Sequence, residues 1–161
     1  MFVFFSKELG TQLIKDKVTK HNLGKKMKNL SPIVLFVYDR PWHTHKTIEA
    51  LQKNELAIES DLIIYSDEAN NKNVQENVDK VRLYIDQIDK FKKVTIIKRE
   101  TNWGLTNNII DGVTKVVNQY GKIIVLEDDL ITSPYFLKYM NEALEIYKDE
   151  EKVWHITGWN Y

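Results

Sequence analysis

Three consecutive carboxylates, Glu127-Asp128-Asp129, follow directly on the apolar run Ile123-Ile124-Val125-Leu126. Like charges this close repel one another and gain nothing from a core. A hard divalent cation removes that cost, because Mg2+ or Mn2+ takes oxygen ligands, commonly one or two carboxylates together with substrate phosphates. Two other apolar runs end in a similar way, residues 33–38 in Asp39-Arg40-Pro41 and residues 61–66 in Asp67-Glu68. An arginine beside a proline-fixed turn suits the clamping of a phosphate or stacking on a base. Each feature alone has a plainer reading, a surface ion pair for Asp39-Arg40 and a turn or cap aspartate for Asp67. Collected at the ends of parallel strands, they point to a metal-diphosphate site. If strand alternation runs on, Glu127 and Asp129 face one way and Asp128 the other.

Several other chemistries lack their residues. There is no Gly-x-x-x-x-Gly-Lys-Ser/Thr phosphate loop and no Gly-x-Gly-x-x-Gly after the first apolar run. With no cysteine there is no disulfide framework, thiolate metal site or cysteine nucleophile. His43 and His45, two apart at a helix start, point in different directions and read as solvated helix residues rather than metal ligands.

The elements that must position the carboxylates alternate regularly. Short apolar runs at 33–38, 61–66, 94–97, 122–126 and 153–157 read as strands. Between them lie helical patterns: residues 42–53, with Ile48, Ala50 and Leu51 for a buried side, and the stripe Val74, Val78, Val81, Tyr84, Ile85 and Ile88. A third stripe runs through Ile109, Ile110, Val113, Val116 and Val117 and is ended by Tyr120-Gly121. A fourth covers Phe136, Leu137, Met140, Ala143, Leu144 and Tyr147, with Ser133 expected as N-cap and Pro134 in the first turn. Strands alternating with helices imply βαβ units, a mostly parallel sheet of about five strands and helices on both faces. In such sheets ligands sit beyond the carboxyl ends of the strands, where the acidic residues are found.

Composition bounds what such a domain can be. The chain has 161 residues, enough for one domain with one core, and 43% hydrophobic against 29% charged residues reads as globular. Lys+Arg and Asp+Glu both number 23, so there is no basic excess to favour a nucleic-acid partner. No apolar run approaches the roughly 20 residues of a membrane-spanning helix, and a cytoplasmic setting is the default expectation. Charge is uneven, however. Seven lysines against Glu8 and Asp16 give residues 1–30 a balance of +5. Residues 1–29 therefore read as a poorly ordered basic leader, and residues 30–161 as the folded subdomain. Peripheral contact of that leader with a membrane or a partner is the alternative reading, and synthesis beginning at Met27 is a third.

The strand-Glu127-Asp128-Asp129-Leu130 unit, with Pro134 and Phe136 after it, resembles the metal-binding acidic motif of GT-A glycosyltransferases. It is most similar to eukaryotic β-1,2-N-acetylglucosaminyltransferases of N-glycan processing and to bacterial family-2-like sugar transferases. Tyr38-Asp39-Arg40 resembles the first-strand motif of that group, and Asn102-x-Gly104-Leu105 its Asn-x-Gly element. The segment from Val153-Trp154 to Gly158-Trp159-Asn160 resembles the strand and Trp-Asn turn that follow. The likeness spans residues 31–161 in consistent order.

That resemblance implies a GT-A, Rossmann-like domain binding a nucleotide-diphospho-sugar, expected to be a UDP-sugar, with Mn2+ or Mg2+, and transferring the sugar to a saccharide acceptor. Arg40, in the Tyr38-Asp39-Arg40 motif, would contact the diphosphate and Asp67 the base. Asp129 would ligate the metal, while Glu127 and Asp128 hold the ribose, the sugar or the metal's waters. Asn102, Trp159 and Asn160 would line the donor or acceptor side. Enzymes of this type continue beyond the Trp-Asn turn into an acceptor half that, in inverting members, supplies a carboxylate base. No residue here matches that base, so the chain is expected to be truncated before the acceptor half. A non-catalytic nucleotide-sugar-binding fragment and a nucleotidyltransferase-like protein are the alternatives. The donor sugar and the stereochemical outcome are not legible.

Overall fold

The computed structural model describes residues 29–158. Four strands and four helices alternate: β1 (Ile33–Val37), α1 (Pro41–Gln52), β2 (Asp61–Ser66), α2 (Lys72–Ile85), β3 (Lys93–Lys98), α3 (Gly104–Tyr120), β4 (Ile124–Glu127) and α4 (Phe136–Ile146). A single 3₁₀ turn, Ala57–Glu59, precedes β2. All strand pairs are parallel, in the order β3-β2-β1-β4, with Ile33 opposite both Leu62 and Ile124. The α/β, Rossmann-like architecture expected from the alternation is therefore present.

The topology follows from the chain's direction across the sheet. From β1 to β3 each crossover steps the same way, and α1 and α2 pack on one face. The connection from β3 to β4 steps back over two strands, so right-handed crossing sends α3 to the opposite face. The first face buries Ile33, Leu35, Leu62, Ile64, Ile124 and Leu126 against Ile48 and Leu51 of α1, Val81 and Ile85 of α2, and Leu137 and Met140 of α4. The second buries Val34, Phe36, Ile63, Tyr65 and Val125 against Val116 of α3. Every residue of β1 is buried, as expected for a central parallel strand covered on both sides. The edge strand β3 is half-buried, and Lys93 and Lys98 stand at its ends.

Helix ends show where local signals succeed. Gly121 closes α3 at φ 73°, a left-handed conformation that favours glycine, and its amide donates to Val117 O at 2.8 Å. Ser133 does not cap α4. The helix starts at Phe136, and its second amide, Leu137 N–H, donates instead to Asn54 Oδ1 at 2.9 Å. Asn54 is buried after α1 and also donates to Thr132 Oγ1 at 3.1 Å, so the cap comes from a distant segment.

The strand expected at 153–157 is absent. Val153 N–H turns back onto Glu150 O at 2.9 Å, and Trp154 Nε1–H donates to Glu151 O at 3.0 Å, so local turn bonds take the place of a ladder. Among these residues Ile156 is buried while Trp154 is 84% exposed. Four strands, not five, form the sheet among the described residues. The expected basic leader, except its last residue Asn29, and both Trp159 and Asn160 lie outside the described residues. No described helix is long and apolar enough to cross a membrane.

Candidate functional site

Beyond the carboxyl ends of the strands lies a cleft of about 370 Å³. It opens where β1 has neighbours reached in opposite directions, the topological switch point at which doubly wound sheets bind ligands. Tyr38, Asp39 and Arg40 reach it from β1, Asp67 and Asn70 from the loop after β2, and Asn102 and Gly104 from the loop after β3. Glu127 and Asp128 enter from β4, and Asn108 from the first turns of α3. Seven of the ten residues given a site role in the sequence thus line one cleft, while Asp129 is joined to it through Arg40.

Arg40 joins the β1 end to the β4 end. Its guanidinium donates from Nη2 to Asp128 Oδ1 and from Nη1 to Asp129 Oδ2, the latter at 3.0 Å. The Asp128 side chain is 3% exposed, whereas those of Arg40 and Asp129 are 43% and 42% exposed. Burial pushes the Asp128 carboxyl above its usual range, against the opposing pull of Arg40. Strand alternation does not continue past Glu127. The chain turns at Asp128 and Asp129, which brings both carboxylates onto the same guanidinium.

A cation can be tested against this donor set. Asp128 Oδ2 is buried and, although the Tyr38 backbone lies close enough to act on this carboxyl, makes no hydrogen bond of ordinary geometry. It stands beside a carboxylate that is half open to solvent, and both offer the hard oxygen that Mg2+ or Mn2+ takes. Among the described residues no group of three or more His, Cys, Asp or Glu is placed to hold a metal ion. A cation placed there would have two carboxylates at most, Asp128 and Asp129, both of which Arg40 also engages, and would need substrate oxygens or water to complete its shell.

On the other side, Asp67 is 4% exposed and works on backbone. Its Oδ1 accepts from Glu68 N at 3.0 Å and Trp103 N at 2.9 Å, and its Oδ2 from Gly104 N at 2.9 Å. It thereby satisfies amides at the start of α3, the cap reading of this aspartate, and ties the loop after β2 to the loop after β3. Asn102 Nδ2 adds a bond to Glu68 O at 2.6 Å, and Tyr38 Oη accepts from Asn70 N at 3.1 Å.

Two arginines that the motif reading assigned no role support this wall. Arg99 is 8% exposed, lies 3.9 Å over the Trp103 ring, and donates to Asn108 Oδ1 at 3.0 Å and Asp111 Oδ2 at 2.6 Å. Arg82, on α2, reaches both loops from beneath. Position 99 falls inside a strand-end segment that the ligand rule marks. Position 82 carries no sequence signal beyond lying next to Val81 of the apolar stripe.

No curated protein sequence matches the chain. The model of the GNT-I family matches it over residues 4–161, a span that contains the whole described fold and every cleft residue. Together with the parallel sheet and the strand-end cleft, this match shows that the chain belongs to the GNT-I family, a family of glycosyltransferases.

Proposed function

We propose that the cleft binds a nucleotide-diphospho-sugar, a UDP-sugar, together with Mn2+ or Mg2+, and that the sugar passes from it to a saccharide acceptor. The observation that carries this reading is the placement of Arg40, Asp128 and Asp129 at the switch point between β1 and β4, with the Asp128 carboxyl buried. In this reading Arg40 exchanges its carboxylate partners for the diphosphate, and Asp129 becomes the metal ligand. Asp128 and Glu127 hold the ribose, the sugar or bound water, while Tyr38, Asp39, Asn102 and the loops tied by Asp67 form the nucleoside side. A bound divalent cation supplies charge compensation for the departing diphosphate. Sugar transfer passes through an oxocarbenium-like state.

Calorimetric titration of UDP with and without Mn2+ tests the binding step, and release of UDP from a labelled UDP-sugar tests the chemistry. Tight UDP binding only when Mn2+ is present is the expected result. Absence of any Mn2+-dependent UDP binding would overturn the proposal, and binding without turnover would reduce it to a donor-binding module.

A further inference from the structure

Arg82 gathers four acceptors from two separate segments. Its Nε donates to Ser66 Oγ at 3.3 Å, its Nη1 to Glu68 Oε2 at 2.6 Å, and its Nη2 to Asp67 O at 3.2 Å and Arg99 O at 2.8 Å. The first three acceptors belong to the end of β2 and the loop after it, and the fourth to the residue that follows β3. Ser66 is fully buried, and the Arg82 side chain is only 17% exposed. Glu68 is held in turn by its neighbour's amide, Ala69 N, at 2.8 Å. Burial acts to raise the Glu68 carboxyl, but that amide, Gln75 and Arg82 outweigh it and hold it below its usual range.

We propose that Arg82 is a positioning residue for the nucleoside side of the cleft, fixing the loops after β2 and β3 at one separation. This inference rests on the cleft being the donor site. Arg82 does not itself line the cleft; it bonds the carbonyl of Asp67, which does, and its effect passes through Asp67 and Glu68. Asp67 sets where Trp103 and Gly104 stand, and Glu68 O holds Asn102, which lines the cleft. No other residue bonds both strand ends from the α2 side among the described hydrogen bonds. A planar fork with five donors can satisfy acceptors in three directions at once, whereas the ammonium of lysine is a single point. The carboxylates proposed for the metal follow β4, with β1 and β2 between that strand and β3, so loss of Arg82 should disturb one side of the cleft and leave the other in place.

The experiment compares the full chain with its Arg82→Gln and Arg82→Lys variants in three measurements. UDP in the presence of Mn2+, and Mn2+ alone, are titrated by calorimetry, and amide exchange is followed residue by residue. The expected result for Arg82→Gln is UDP binding weakened about tenfold, the scale of one hydrogen bond to a charged group. Affinity for Mn2+ alone should stay level, and exchange should quicken at Glu68, Trp103 and Gly104 but not in β1 or β4. Arg82→Lys should fall between the two, and it carries the same comparison if Arg82→Gln does not fold. Unchanged UDP affinity in a folded variant, or exchange that rises equally in all four strands, would overturn the inference by making Arg82 a general stabiliser. If the unaltered chain binds no UDP, the donor-site reading fails, and the exchange pattern alone decides whether Arg82 fixes the loops.

Discussion

Both oxygens of Asp67 are engaged by backbone amides, and the side chain is almost fully buried. Asp67→Ala would leave three donors without their acceptor, so a loss of about 2–3 kcal/mol is expected in urea unfolding. Asp67→Asn keeps one acceptor oxygen and should lose less. Asp129 presents the opposite case, since its bond to Arg40 is at the surface and half exposed. Asp129→Asn should change the stability of the ligand-free chain by less than about 1 kcal/mol. Calorimetry on the same variant should show Mn2+-dependent UDP binding abolished, and retention of that binding would remove Asp129 from the site. These carboxylates were legible in the sequence because each ends an apolar run, and strand ends are where ligands collect. Arg82 was not legible, because its partners lie 14 to 17 positions away and are brought to it by folding alone.

At the level of elements, α3 rests on the sheet through a position without a side chain. A Cβ at Gly112 would come within 2.8 Å of Phe36 Cζ and 3.0 Å of Tyr65 Cε2. Those two rings are buried and stacked, with centroids 5.3 Å apart, and have little room to yield. In an open helix interior, Gly→Ala gains up to ~1 kcal/mol. Here overpacking, which costs about 1–3 kcal/mol, should win, so Gly112→Ala is expected to lower the melting temperature. A raised melting temperature would show that α3 can lift from the sheet without penalty. Periodicity located all four helices and four strands, because stripes at three and four and short apolar runs survive any context. The start of α4 was misread because Ser133-Pro134 is a valid local cap signal, and Asn54, remote in sequence, supplies the cap instead. The run at 153–157 has strand-like residues, but a strand exists only where a neighbour accepts its ladder.

For the whole molecule, acidity tests the region after α4. Burial lowers the His155 imidazole to about 4, below its ordinary 6.5. The unfolded chain therefore binds more protons than the folded chain between those values, and stability rises with pH across that window. The contribution is complete above about pH 6.5 and is lost as pH falls toward 4. Urea midpoints measured from pH 7 down to 4.5 should fall less steeply for His155→Gln than for the unaltered chain. Equal slopes would show that the ring is as easily protonated folded as unfolded. The fold class was legible from alternation alone, whereas the strand order was not, since order depends on which edge each crossover reaches. That order has a consequence during synthesis. β1 pairs on one side with β2, which follows closely, but on the other only with β4, so that Ile33 waits for Ile124. Until Glu127 has left the ribosome, five consecutive apolar residues of β1 keep an open backbone edge. Such an edge invites pairing with other nascent chains, and the late, long-range closure of β1 on β4 makes folding slow. The strand that leads to Arg40 is thus also the one whose second edge stays open until β4 is made.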